Sequence, residues 1–391
     1  MTQPLPPLSL YIHVPWCVRK CPYCDFNSHK ADEQIPEQEY VAALLADLQT
    51  ERPFVYGRSI QSIFIGGGTP SLLSADAYQQ LFEGLRQQLT FADDIEITLE
   101  ANPGTFEAER FKAYRQLGIN RLSMGIQSFN DLHLQKLGRI HDSDQAKTAI
   151  KSAFNAGFDN INIDLMHGLP GQSIADAMSD IDTALSFKTP HLSWYQLTIE
   201  PNTEFYKRPP VLPEDETLWD IQEAGQKKLA DAGFQHYEIS AFAQPGKQAR
   251  HNLNYWRFGD YLCIGAGAHG KVSWYDDQGH FHSQRRWKTR APKDYLNPEK
   301  QFLAGEESID AEDMGFECLM NALRLHEGMP VSMFEQRTGV TLALVKEPVD
   351  KSISMGLLEI TDGSHDDAGE PWIRATERGR LYLNELLGLF L

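Results

Sequence analysis

Three of the five cysteines in this 391-residue chain fall close together near its start, as Cys17-x3-Cys21-x2-Cys24. The apolar run Leu8 to Val14 leads into them and reads as a buried strand. Three thiolates on one loop can wrap around a single soft-metal centre. They are one fewer than the four that a fully protein-ligated iron–sulfur cubane takes. A site short of one ligand keeps an open metal position, where a small molecule can bind. Structural zinc usually sits between paired Cys-x2-Cys knuckles, and the sequence holds no second pair.

Composition narrows the class. A hydrophobic content of 41% supports a sizeable core. No window approaches the roughly 18 apolar residues of a membrane span. The first ten residues lack the charged start and apolar centre of a signal peptide. Five cysteines, three of them clustered, fit a reducing compartment rather than a disulfide framework, so a cytoplasmic protein is expected. A net charge of −18 argues against nucleic acid as a partner, which would need a basic face.

Beyond the cysteines, strand and helix patterns alternate. Helical spacing of Tyr40, Leu44, Leu45 and Leu48 marks a helix over 36–51. A strand over 59–65 ends in Gly66-Gly67-Gly68-Thr69-Pro70-Ser71, with Ser74 as the next helix cap. Strands follow at 94–99, 121–126, 160–165 and 191–199, each followed by a helix, at 105–117, 142–157, 173–187 and 214–233. Six strand–helix units imply a parallel sheet with right-handed crossovers. Polar and Gly-rich signals cluster at the C-terminal strand ends, where barrel-like α/β folds build their sites. The expected fold is α/β, an open (β/α)6 partial barrel. A Rossmann sheet lacks its G-x-G-x-x-G after the first strand. A short strand is expected at 236–241 and a Gly-rich loop over 265–270. From Ser308 on, helices at 311–325, 331–338, 342–355 and 377–390 surround two short strands at 356–360 and 372–375, joined by a polar turn at 362–369. That resembles a winged-helix-like α+β domain. The domains expected are 1–205, 206–305 and 306–391.

The cysteine spacing resembles the signature of the radical S-adenosylmethionine (SAM) superfamily. There, three cysteines hold a 4Fe–4S cluster and SAM chelates the unclaimed iron through its amino and carboxylate groups. The resemblance implies that Cys17, Cys21 and Cys24 bind the cluster. A zwitterionic ligand of this kind needs an arginine or N–H groups for its carboxylate, and Asp, Glu or Gln for its ribose. Gly67, Gly68 and Thr69 would let the backbone approach it closely. Arg139 is the natural carboxylate partner, and Glu100, Gln127 and Asp164 suit the ribose. Tyr11 and Tyr23, which flank the cysteines, match family positions lying against SAM.

The chain from Leu8 onward resembles the branch that contains the oxygen-independent coproporphyrinogen oxidases and a family of heme chaperones. The carrying motifs are 11–29 around the cysteines, Gly-Gly-Gly-Thr-Pro-Ser, Asn162 to Met166 with Gly168-Leu169-Pro170-Gly171, and His251-Asn252-Leu253-Asn254-Tyr255-Trp256. The oxidases carry a fourth cysteine where this chain has Phe26, and a long arm where only ten residues precede Tyr11. Both departures point to the chaperones rather than to the rival reading, a catalytic enzyme acting on a porphyrinogen. The resemblance implies heme as cargo, with His251, Asn252, Tyr255 and Trp256 as its motif. It also implies delivery to apo-haemoproteins such as respiratory enzymes, a homodimer when the cluster is bound, and transient membrane association. Independently, the stretch 247–293 holds nine Lys or Arg against three Asp, with four His and three Trp. Heme wants an axial ligand, flat apolar contacts and cations for its propionates. Arg250, Arg257 and Lys271 are the cations expected there, whereas Cys263 and Cys318 read as core.

Overall fold

The computed structural model describes residues 4–31, 34–104, 107–361 and 369–391. Six parallel strands form its centre: β1 (Leu8–Val14), β2 (Ile60–Gly67), β3 (Phe91–Ala101), β4 (Arg121–Gln127), β5 (Ile161–His167) and β6 (His191–Gln196). The helices that cover them are α1 (Glu37–Glu51), α2 (Ala75–Gln88), α3 (Glu107–Leu117), α4 (Ser143–Asn155), α5 (Ile174–Ser186) and α6 (Asp215–Asp231). Side chains alternate along each strand. Leu8, Leu10, Ile12 and Val14 turn outward into a core that includes Tyr40, Leu44 and Leu48 of α1. Ser74 caps α2, and Asp142 and Ser173 form capping boxes that start α4 and α5.

The sheet does not stop at these six strands. The segment after β6 adds β7 (Gln235–Glu238), β8 (Ala241–Ala243), β9 (Asp260–Ile264), β10 (His269–Tyr275), β11 (Phe281–Lys288) and β12 (Leu303–Ser308). The order is β12-β11-β10-β9-β1-β2-β3-β4-β5-β6-β8-β7. Strand β9 pairs parallel to β1, and antiparallel strands extend the sheet on both sides. The sheet stays open, as expected for a partial barrel. Strands β9 to β12 went unseen in the sequence because glycines 265–270 read as a loop and β11 and β12 are crowded with charge. Their charges are paired: Lys288, fully buried, lies 2.6 Å from both Asp47 and Glu51 of α1. Strand β6 also ends at Gln196, three residues before the expected Ile199.

Between β8 and β9 runs α7 (Arg250–Trp256), packed on β1, β2 and β9. The C-terminal region has α8 (Ala311–Ala322), α9 (Val331–Thr338) and α10 (Lys346–Ser354). Its small sheet is ordered β13-β15-β14, from Met329–Pro330, Trp372–Ala375 and Leu358–Ile360 respectively. A second core, including Cys318, Leu319, Phe334, Ile373 and Leu386, holds these together. The expected final helix is broken at Tyr382 into Glu377–Leu381 and Leu383–Leu387. The helix expected over 342–355 begins as a 3-10 turn, Leu342–Val345. The turn at 362–368 and the helix start at 105–106 lie outside the described residues.

Candidate functional site

The cysteine loop is closed by a two-stranded parallel ribbon in which Trp16 and Cys17 pair with His29 and Lys30. Its floor is the Gly-rich end of β2: the amide of Gly68 donates to Val14 O and that of Thr69 to Trp16 O, both at 2.7 Å. A Cβ on Gly68 would stand 2.5 Å from Trp16 O, and one on Gly67, which has φ +116°, would stand 2.6 Å from the His13 ring. The glycines are therefore required first by the cysteine loop that lies on them. Each thiol has a polar neighbour: Thr69 Oγ1 donates to Cys17 Sγ at 3.5 Å, Arg139 Nη1 to Cys21 Sγ at 3.6 Å, and Ser28 Oγ lies 3.8 Å from Cys24 Sγ. Burial raises the Cys17 and Cys24 thiols, so ligation must displace their protons. Among the described residues no three His, Cys, Asp or Glu side chains converge on one point that would hold a single ion. Cys17, Cys21 and Cys24 all line one cavity, and three thiolates are a donor set that fits an iron–sulfur group.

That cavity, of about 560 Å³, gathers Cys17, Cys21, Cys24, Tyr23, Gly67, Gly68, Thr69, Glu100, Gln127, Arg139 and Asp164. They meet because alternate residues at the strand ends point inward. Arg139 donates to Asn102 Oδ1 at 2.6 Å and to Gly125 O at 2.7 Å, while its buried Nε has no partner among the described residues. Asp164 accepts from Ser123 Oγ at 3.0 Å and Asn162 Nδ2 at 2.7 Å. Gln127, at φ 71°, accepts from Tyr195 Oη at 2.8 Å. Glu100 accepts from the Gly67 amide at 3.1 Å, and burial together with nearby Asp164 pushes its carboxyl up to about 8. The remaining expected residue, Tyr11, does not line this cavity. Its hydroxyl meets His13 Nδ1 at 2.8 Å and its ring stacks on Phe64.

Tyr11 instead lines a neighbouring cleft of about 360 Å³ with Phe64, His251, Tyr255, Trp256, Tyr261 and His269. Phe64, His251, Asn252 and Trp256 face both spaces, so the two share a wall. Helix α7 is seated by Glu96 of β3, whose Oε1 accepts from the amides of Arg250 at 2.9 Å and His251 at 3.4 Å. The same oxygen lies 3.4 Å from His251 Nδ1, and the imidazole packs on Phe64 with centroids 4.1 Å apart. Burial keeps His251 below its usual value despite Glu96, so the ring is neutral at pH 7. Carboxylate on Nδ1 and an Nε2 without a partner among the described residues is the arrangement of a metal-ligating histidine. Asn252 donates to Tyr237 Oη at 3.3 Å, which joins His191 and Asn162 in a chain that reaches Asp164.

The cations expected for propionates are engaged elsewhere. Arg250 pairs with Asp94, Arg257 with Glu327, and buried Lys271 with Asp260 at 2.8 Å. Sequence reading also missed Glu96, Arg121, Tyr195 and Arg324 of the cavity region. Glu96 had a signal, since it shares the inward register of Thr98 and Glu100 on β3. Arg324, distant in sequence, had none.

The Radical SAM superfamily model matches residues 11–184, and the HemN C-terminal domain model matches residues 309–382. Along its length the chain is 51% identical to the heme chaperone HemW of Haemophilus influenzae, covering 99% of this chain and 98% of that one. It is 50% identical to HemW of Escherichia coli, covering 99% of both. The chain belongs to the HemW family of heme chaperones. Membership in HemW and in the radical SAM superfamily implies a 4Fe–4S cluster, SAM and heme binding. The coproporphyrinogen III oxidase HemN of Escherichia coli, a radical SAM enzyme, superposes with a TM-score of 0.81 at 24% identity, covering 99% of this chain and 90% of that one. That likeness speaks for a fold HemW shares with the oxidase. No helix among the described residues is long and apolar enough to cross a membrane.

Proposed function

We propose that this protein carries heme on His251 and passes it to apo-haemoproteins, respiratory enzymes among them, while a 4Fe–4S cluster and SAM occupy the adjoining cavity. The observation that supports this best is the Glu96-held imidazole, open at Nε2, in an aromatic cleft that shares a wall with the cysteine cavity. In this reading Tyr255 and Trp256 supply ring contacts and Asn252 ties α7 to the cavity through Tyr237. Cys17, Cys21 and Cys24 would hold the cluster, which supplies an open iron and reducing electrons when bound. Arg139, Glu100, Gln127 and Asp164, with Gly67, Gly68, Thr69 and Tyr23, would hold SAM. Tyr11 belongs to the heme cleft in this proposal. The cluster-loaded form is a homodimer, for which exposed Val18, Phe26 and Ile140 offer apolar surface. We place the protein in the cytoplasm, in keeping with five free cysteines, with only transient membrane association and no nucleic-acid partner. The cluster core, the connecting region and the C-terminal domain take 1–205, 206–305 and 306–391.

Heme titration of wild type and His251→Ala tests the proposal. Binding in the variant is expected to fall at least about tenfold, as loss of a ligand or its support does, with a changed Soret band. Coincident titrations and spectra would remove His251 as the ligand. Anaerobic incubation with coproporphyrinogen III, SAM, reductant and an electron acceptor separates the rival, since Phe26, 60% exposed, stands where the oxidases have their fourth cysteine. No oxidised product is expected.

A further inference from the structure

We propose that the polar cavity contains a carboxylate-binding site built on Arg121 and Arg324, and that its ligand is a propionate of the heme held at His251. The inference rests on the heme reading above. Arg121 opens β4 and is only 2% exposed, yet it lines the cavity that His251 also faces. Its buried Nε has no partner, and it forms no ion pair among the described residues. Arg324 follows α8 and lines the same cavity, its guanidinium 4.5 Å over the Trp256 ring. Its Nε is likewise buried without a partner among the described residues. Taking a guanidinium out of water is costly unless an anion meets it.

The nearby acids do not fill that role. Glu96 is spent on the amides that start α7, Asp164 on Ser123 and Asn162, and Glu238 on the Ser240 amide. None of the three lies within ion-pair distance of either arginine. Arg250, Arg257 and Lys271 are each engaged with an acid of their own. Two forks with no ion-pair partner among the described residues therefore remain on the walls of a cavity that also presents His251 and Trp256, and they feel Glu96, Asp164 and Glu238 only at longer range. A guanidinium fork matches a carboxylate through two parallel hydrogen bonds. A flat ligand that carries carboxylates and is ligated at His251 satisfies both features at once. The carboxylate of SAM is the other source of the same chemistry. For it, Arg139 stands beside Cys21 with an unpartnered Nε of its own.

The test uses full-length protein reconstituted without oxygen and compares heme with heme dimethyl ester, whose propionates are blocked. Wild type is expected to bind heme about tenfold or more tightly than the ester, the range of a charged hydrogen bond. Arg324→Gln and Arg121→Gln are expected to lose most of that preference and to keep their SAM affinity and their circular-dichroism melts. Equal binding of heme and ester by wild type would overturn the proposal, and this comparison needs no variant to fold. An intact preference in both variants would overturn it too. Loss of SAM affinity with the heme preference unchanged would assign the arginines to the SAM carboxylate instead. Wild type that binds neither porphyrin would bring down the heme reading itself.

Discussion

Glu100 carries the clearest electrostatic signature in the cavity. Its ordinary value is 4.5, and burial and nearby Asp164 raise it to about 8 in the folded chain. Folding therefore favours its protonated form. The stability this contributes is full below about 4.5 and is lost as pH rises through about 8. Melting temperatures of ligand-free protein should fall between roughly pH 5 and 8.5, and Glu100→Gln should flatten part of that slope. Asp164, also raised by burial, leaves a remainder. Equal slopes in both proteins would contradict the assignment. At this scale the sequence was most legible where chemistry depends on local spacing. Cys17, Cys21 and Cys24 are set by one loop, and Glu100, Gln127 and Asp164 by strand ends. It was least legible for charge: nothing near Arg250 or Arg257 in sequence announces Asp94 or Glu327 as their partners.

Among the elements, the end of β2 decides the shape of the cysteine loop. The glycine run was visible in the sequence, but its purpose was not, because what it approaches is the His13 ring and the backbone of Pro15 and Trp16. Gly68→Ala would press a methyl group against Trp16 O, where no flexible side chain can yield. It should cost about 1–3 kcal/mol, as overpacking does, and should lower iron content after anaerobic reconstitution. A variant with wild-type melting and full iron would show that the loop does not depend on this contact. Helix α7 teaches the same lesson. Its motif was readable, yet its place against the inner face follows from Glu96 and from Asn254, which donates to Ser9 Oγ at 3.0 Å. Those partners are more than 150 residues away in sequence.

For the molecule as a whole, the six parallel strands were legible from alternation, while the antiparallel extension was not. Strands β10 to β12 are tied back to α1 through Lys288, Arg286, Asp47 and Glu51. Lys288→Ala would remove the ammonium shared by two buried carboxylates, leaving Glu51 with Arg286 and Asp47 with neutral donors, and breaking such a buried network costs up to about 3–5 kcal/mol. Denaturant unfolding should show that loss, and an unchanged midpoint would mean the extension is held otherwise. The architecture then places the three-cysteine cavity and the aromatic cleft of His251 on either side of one wall. The most direct test is the iron, sulfide, zinc and bound heme content of protein isolated without oxygen after growth with heme supplied. The account predicts about four irons and four sulfides per chain, lost in Cys21→Ala, together with heme that His251→Ala fails to retain. Zinc in place of iron, or iron without inorganic sulfide, would contradict it.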